Sequence, residues 1–527
     1  MGALETDLLV IGGGATGAGV AWDAALRGLR VVLVDRHDLA EGTSGRFHGL
    51  LHSGARYVVQ DPAAARDCIA ENRILRRVAA GCIEDTGGLF VTTPWDDPQY
   101  AELFAAGCAR NGVDCEEIDV ARALRSEPRL NPRISRAFVV PDASIDVWKT
   151  VRAMARGARE RGARVLAHHE LVAIERAGDR VLGAVVRDGR GDELRIHARI
   201  TVNAAGAWAG RVALLAGIEG VRVLPGRGIM IATNHRLVNT VVNRCKPPAD
   251  GDILVPIRTV SVIGSTDRLT DDPDDQTVHP DEVKLLLDEG ERLVPGFRRA
   301  RLLRVWTGVR PLFDGDRAQE EGGRRDGESR DITRAHALLD HGLRDGVAGF
   351  VTITGGKLTT LRLMAQQAVD AACRQLGEQR PCHTDTEPLP GSRSGRHLAL
   401  GDRLARKEAA REEQLICECE LVPRSWLELA IRQAASSDLD DVRRQLRLGM
   451  GPCQGGFCIY RAAGILHEVG ELAAAETNAS LRAFLQERWK GVWPVLHGDQ
   501  LRQARLDEWI FHGLLAVGRL PAGEART

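Results

Sequence analysis

The chain has 527 residues, with 71 Lys and Arg against 72 Asp and Glu, a formal net charge of −1. That length allows about two to four domains, each large enough for its own core. The charge balance excludes a bulk electrostatic claim on nucleic acid or an anionic membrane, so an anionic ligand has to be met locally.

Glu5 and Asp7 sit where a secretory signal would need apolar residues, and no apolar stretch approaches about 18 residues. A cytoplasmic, soluble chain is expected, with membrane contact at most peripheral. Leu8 to Ile11 form an apolar run that predicts a buried parallel strand, and Gly12, Gly14 and Gly17 follow in G-x-G-x-x-G spacing. Ala21, Ala24 and Gly28 recur at helical spacing, so the next helix can lie close on a sheet. Val31 to Val34 give the second strand, which Asp35 ends. This βαβ unit predicts a dinucleotide site: glycines allow a pyrophosphate to approach the helix N-terminus, and the acid receives ribose hydroxyls. An Asp at 35, with no Arg in its place, favours FAD or NAD over NADP.

Residues 41–58, EGTSGRFHGLLHSGARYV, mix Gly, Ser and His between apolar residues, as a segment folded over a cofactor would require. Arg56 and Tyr57 end it, and Arg56 is a candidate for gripping an anionic group. Residues 63–77 then predict a helix, and Gly88 to Thr93 and Ala137 to Val140 strands, in an inserted α+β region. After a helix at 149–162 come strands at Ala163 to Leu166 and Leu171 to Ile174. Val181 to Arg187 and Glu193 to Ile200 form a hairpin about Asp188-Gly189-Arg190-Gly191. Residues 200–210, ITVNAAGAWAG, run a buried strand into small residues and suggest a second cofactor contact.

From 220 to 310 strands dominate: Val221 to Leu224, Gly228 to Ala232, Asp252 to Pro256 and Ser261 to Gly264. Arg310, between apolar neighbours and before a proline, needs an anion or several acceptors if buried. Residues 314–331 read as a flexible surface loop. Phe350 to Thr354 is the last core strand, and Gly355, Gly356 and Lys357 lead into a helix at 358–376. There amides and a helix dipole could meet the negative charge of a reduced flavin at N1 and the C2 carbonyl, with Lys357 beside the substrate. A linker at 383–415 precedes Cys417-Glu-Cys419 and, 34 residues later, Cys453-Gln-Gly-Gly-Phe-Cys458, with two short helices near 424–435 and 438–447. Four thiolates on such a scaffold make a metal site. Zinc is the alternative, but C-x-C with a wide Gly-rich second loop favours a 2Fe-2S cluster. The C-terminal region, 480–518, reads as a pair of helices with Trp489 and Trp493 between them, expected to pack on the cysteine module in preference to docking a partner.

These motifs are identified as those of the FAD-dependent glycerol-3-phosphate dehydrogenase family, in its anaerobic branch, within the D-amino-acid-oxidase-like flavoproteins. The resemblance spans nearly the whole chain. It rests on IGGGATGAG (11–19), HGLLHSGARY (48–57), NRCKPPADGDILVP (243–256), GVRPL (308–312), ITGGKLTTLRLMA (353–365), CEC (417–419), GMGPCQGGFC (449–458) and ERWKGVWP (487–494). The cysteine module is similar to the bacterioferritin-associated-ferredoxin type. The implied fold class is α/β: a Rossmann-like FAD-binding domain (1–60, 149–210, 345–382), a mixed α+β substrate domain (61–148, 211–344), the linker, a 2Fe-2S domain (416–470) and a C-terminal helical region (471–527).

The resemblance implies oxidation of sn-glycerol 3-phosphate to dihydroxyacetone phosphate. Electrons would leave by way of a B subunit to a membrane-bound iron–sulfur C subunit and on toward menaquinone, in anaerobic respiration. By the same carry-over Gly12, Gly14, Gly17, Asp35, Thr43, Ser44, Leu171, Ala205, Gly206, Gly355 and Gly356 contact FAD. Arg56, Tyr57, Arg310 and Lys357 surround the substrate, and Cys417, Cys419, Cys453 and Cys458 hold the cluster. Relatives that work as one polypeptide carry a Ser-His pair where this chain has Arg227-Gly228-Ile229, so no catalytic histidine is assumed. The competing readings are an amino-acid or 2-hydroxyacid oxidoreductase of the same superfamily and a non-enzymatic iron–sulfur electron-transfer adaptor.

Overall fold

The structure is a computed structural model that describes residues 3–313, 335–392, 413–433, 438–470 and 472–520. The expected loop at 314–331 and most of the linker lie outside the described residues. The strand Leu4–Ile11 is flanked on both sides by parallel partners, Val31–Val34 and Glu193–Asn203. Leu8, Leu9 and Leu33 are wholly buried there, each contributing about 1.5–3 kcal/mol relative to exposure. Arg164–Leu166 extends the sheet beyond Val31–Val34, and Phe350–Gly355 pairs parallel with the end of Glu193–Asn203. The hairpin partners His169–Ala177 and Arg180–Asp188 continue it antiparallel, and the carboxylate of Asp188 accepts the Arg190 and Asp192 amides to shape the turn. His336–Asp340 joins through Phe350–Gly355.

The helix Ala15–Leu26 lies on this sheet between Val147–Glu160 and Leu361–Leu376. Its small residues explain the closeness. A side chain on Gly19 would begin 3.0 Å from Ala365, and one on Gly157 of the facing helix 2.5 Å from the ring of Trp22.

A second, nine-stranded sheet roofs the first domain. Its longest pair is antiparallel, Val223–Thr233 with Leu302–Phe313. The two strands expected at 221–232 are thus one. Pro225, which suggests a break, sits opposite Pro311, and the partner strand carries the pairing through both. The sheet continues through Val260–Gly264, Ile253–Ile257, Val241–Arg244, Gly88–Thr92 and Arg136–Val140 to Glu116–Ile118.

The cysteine module begins with Leu415–Cys417 and folds the helices Arg424–Gln433, Leu439–Leu446 and Cys458–Val469 around Leu427, Leu439, Leu448 and Ile459. It docks on the first domain through buried charge. Arg444 reaches Asp38 and Glu41 at 3.1 Å and Asp440 at 2.7 Å, and also pairs with Asp441. His168 bonds Asp441 at 2.8 Å. Arg447 and Arg258 share Glu420 and Asp146 between them. The last helices differ from expectation. Ala474–Val492 runs straight through Trp489, and Gly491 rather than a tryptophan approaches the second sheet at Val305. Trp489 and Trp493 stay exposed against each other, ring centroids 5.9 Å apart.

Replacing Arg444 by Ala leaves Asp38 with Arg152 and Asp441 with His168 as their remaining partners, a loss that stays below the about 3–5 kcal/mol of a buried charge left unpaired. Calorimetric unfolding should show the loss as a lowered transition for the cysteine module; an unchanged thermogram would contradict this role.

Candidate flavin and iron–sulfur sites

The first βαβ turn makes a cradle that only glycines fill. A side chain on Gly12, at φ 108°, would meet the Ala204 carbonyl oxygen at 2.6 Å, and one on Gly17 would lie 1.8 Å from that of Gly12. Gly14 stands at the N-cap of Ala15–Leu26, beneath Ser44, whose Oγ accepts the Ala15 amide at 2.9 Å. Asp35 braces the turn from the next strand end. Its carboxylate accepts the Gly13 amide at 2.6 Å and the His37 amide at 2.8 Å, and burial raises its pKa against those amides. Leu171 and Ala205 line the same cavity beside it, and Gly206 accepts the Thr354 hydroxyl at 3.1 Å.

Three segments converge farther along. Thr43 Oγ1 donates to the Val309 carbonyl at 2.6 Å, and the His52 amide donates to Thr359 Oγ1 at 3.0 Å. The segment 43–57 is thereby held to the Arg310 strand and to the turn at 355–360. Gly355 and Gly356 adopt φ of 78° and 73°, and side chains there would strike Ala335 and Met364. Lys357 Nζ stands 4.4 Å from the centre of the Tyr57 ring. The four expected substrate residues therefore line one cavity.

Both arginines are already engaged. Arg56 donates to Asp252 at 2.9 Å and to the Ala249 carbonyl at 3.2 Å. Arg310 donates to Asp267 at 2.6 Å, Ser265 Oγ at 2.6 Å and the carbonyl oxygens of Thr266 and Gly226 at 2.5 and 3.3 Å. Their orientation is fixed in advance, and part of their charge is neutralised.

Two histidines that the motifs did not single out also belong to the site. His48 and His52 line the cavity with ring centroids 6.3 Å apart, and His52 lies 5.4 Å from Tyr57. Burial and the nearby Arg56 and Arg310 charges push His48 down to about 3; burial, His48, Arg56 and Lys357 hold His52 well below its ordinary value. Both are neutral imidazoles at neutral pH. The signal was present in HGLLHSGARY, two histidines four apart beside a candidate anion-binding Arg. Arg227, at the position of the missing Ser-His pair, is buried against Glu282 at 2.8 Å.

In the cysteine module Cys417 ends a strand and Cys458 begins a helix, both buried. Cys419 and Cys453 place their sulfurs 3.7 Å apart, near the roughly 3.8 Å expected of two thiolates on one tetrahedral metal. Cys453 is held well below the usual thiol range by Cys419 and Cys458, helped by the Gly455 and Phe457 amides. Gly451 is required because a side chain would begin 2.3 Å from Cys419 Cβ. A two-iron centre takes four thiolates, two on each iron. The donor set fits that centre. One continuous cavity of about 1980 Å³ runs from Gly12 and Asp35 past Arg310 to Met450 and Gln454 of the module.

The family model for FAD dependent oxidoreductases matches residues 7–362. The chain belongs to that family. A model for the BFD-like 2Fe-2S binding domain matches residues 415–468, so this flavoprotein carries a 2Fe-2S module as well as an FAD-binding domain. The flavoprotein is 43% identical to the A subunit of the anaerobic glycerol-3-phosphate dehydrogenase of Escherichia coli K12, over 97% of both chains. Its fold is shared with the FAD-complexed glycerol-3-phosphate dehydrogenase of Bacillus halodurans, at 21% identity, TM-score 0.60, and 97% and 94% coverage of the two chains. It is also shared with the L-alpha-glycerophosphate oxidase of Mycoplasma pneumoniae, at 19% identity, TM-score 0.59, and 72% and 96% coverage. Among the described residues no helix is long and apolar enough to cross a membrane.

Gly17→Ala should yield folded protein with little bound flavin, read from the ratio of flavin to protein absorbance. His48 gives a pH signature. Its folded pKa near 3 lies below the free value of 6.5, so in that window the unfolded chain binds the extra proton and stability rises with pH. The contribution is complete above pH 6.5 and is lost as pH falls toward 3. His48→Gln should therefore show a shallower acid decline in unfolding free energy than the parent, and parallel curves would refute the assignment.

Proposed function

We propose that the protein is an FAD-dependent glycerol-3-phosphate dehydrogenase that oxidises sn-glycerol 3-phosphate to dihydroxyacetone phosphate and releases the electrons singly through its 2Fe-2S module. The observation that carries this reading is the single cavity joining an Arg-lined flavin site to the cysteine loop, in a chain similar over its length to one component of a glycerol-3-phosphate dehydrogenase. FAD, when bound, supplies two-electron hydride acceptance, and the cluster one-electron chemistry.

The chain's own residues have these roles. Gly12, Gly14 and Gly17 admit the pyrophosphate to the helix N-terminus, where Ser44 and Thr43 cover it, and Asp35, Leu171, Ala205 and Gly206 line the nucleotide path. Gly355 and Gly356 present the start of the helix Leu361–Leu376 to the ring. Arg56 and Arg310 receive the phosphate dianion with their forks oriented by Asp252 and Asp267, and binding of that remote group positions the C2 carbon. Lys357, against Tyr57, faces the C2 oxygen and stabilises charge that develops on it. His52 is neutral and accepts the hydroxyl proton, with the incoming dianion raising its basicity. Cys417, Cys419, Cys453 and Cys458 ligate the cluster.

The relative is named as one lettered component of its enzyme, which supports a multi-subunit assembly. We take the other members to be a B subunit together with a membrane-bound iron–sulfur C subunit that delivers electrons to menaquinone and holds this chain at the inner face of the membrane.

Anaerobic titration of the purified holoprotein with glycerol 3-phosphate should bleach the flavin absorbance and generate the EPR signal of a reduced 2Fe-2S centre, while proline, glycine and 2-hydroxyglutarate should not. An unbleached flavin would sink the proposal. His52→Gln should retain flavin and lower kcat by about 10²–10⁴-fold. Cys453→Ser should keep substrate-driven bleaching but lose the EPR signal.

A further inference from the structure

Two arginines outside the cysteine module stand at its metal loop. Arg301, just before the strand Leu302–Phe313, donates from Nη2 to the Pro452 carbonyl at 2.7 Å, next to Cys453. Arg488, on the helix Ala474–Val492, donates to Asp507 at 2.9 Å. The other oxygen of Asp507 lies against Gly456 of the same loop, 3.0 Å from where a side chain there would begin.

Each guanidinium buries its Nη1 with no hydrogen-bond partner among the described residues, the kind of unsatisfied donor that folded proteins avoid. The charges do not balance either. Asp507 is the one carboxylate ion-paired with either arginine among the described residues. Burial lowers the pKa of both, and for Arg301 the charge of Arg488 adds to it; Asp507 first and then Cys453 act on both in the opposite direction, joined by Asp499 for Arg301 and Cys458 for Arg488. Two partly buried cations with buried Nη1 atoms share one ion-paired carboxylate, with Asp499 acting on Arg301 from farther away, and so have room for a further anion. A 2Fe-2S centre with four thiolates is a dianion when oxidised and a trianion when reduced, so it supplies that charge, and more of it after reduction.

We infer that Arg301 and Arg488 are electrostatic partners of the iron–sulfur centre, raising its reduction potential by compensating the electron it receives. One electron enters and no bond is made or broken, so the fixed positive charge acts on the equilibrium alone. Arg301 directly precedes the strand that carries Arg310. The substrate sheet therefore completes the environment of the centre, and the potential suited to accepting electrons from the flavin exists only with the module docked. The inference rests on the four cysteines being the ligands.

The test is an EPR-monitored redox titration of the full-length holoprotein, as wild type, Arg301→Gln, Arg301→Lys and Arg488→Gln. For Arg301→Gln the ratio of reduced to oxidised centre at fixed potential should fall about tenfold, a midpoint lower by about 59 mV for one electron, with the flavin midpoint unmoved. Arg301→Lys, which keeps the charge, should recover most of that shift. Arg488→Gln should move the midpoint in the same direction and carries the test alone if Arg301→Gln fails to load the centre. Intact EPR signals with unmoved midpoints, or a Lys variant as low as the Gln variant, would overturn the inference. Wild-type protein without a 2Fe-2S signal would instead remove the ligand assignment.

Discussion

The arrangement depends on one buried guanidinium. Arg444 belongs to the cysteine module, yet two of its four carboxylate partners, Asp38 and Glu41, follow the strand that ends at Asp35. An ion pair in such surroundings adds little to stability relative to an apolar contact but allows few alternative geometries once made, because each unpaired member is costly. A one-electron centre has to stay within a fixed reach of a two-electron cofactor, and a sliding apolar contact would not ensure that. The charge network registers the module against the segment that covers the flavin site.

The same logic shapes the substrate pocket. Arg56 and Arg310 each face a carboxylate, Asp252 and Asp267, both almost inaccessible to solvent. A near-neutral protein that must hold a dianion could leave bare guanidiniums in its pocket, with disordered forks and a large desolvation cost, or brace them beforehand. Bracing lowers the field but removes the reorganisation that binding would otherwise require. A ligand with a single negative charge gains less from sharing such pairs than a phosphate does, so the pairing favours the more highly charged ligand.

The local part of this design is legible in the sequence. The βαβ glycines, the terminal Asp35, the glycine pair at 355 and the cysteine spacing each follow from short-range rules, and all lie along one cavity or one module. What was hidden is long-range. Asp252 is 196 residues from Arg56, so no pattern around Arg56 reveals that its charge is shared. Val223–Thr233 reads as two strands until its partner is known, because Pro225 breaks a local pattern but not a pairing. Trp489 and Trp493 look like core material and are exposed, since the small Gly491 makes the close contact with the second sheet. His48 and His52 were in view as letters, but their neutrality comes from enclosure, which composition does not encode.

The clamp on the cofactor segment also imposes an order on biosynthesis. Asp38 and Arg444 are 406 residues apart, and the ribosome delivers them in that sequence. The strands around the nucleotide are complete once Phe350–Gly355 has emerged, before any of the cysteine module exists. During that interval the segment beginning at Asp38 lacks its later anchor. Until then Asp38 is held by Arg152 at 2.5 Å, and the arriving module adds Arg444 as its second cation, so the segment takes its final registration last.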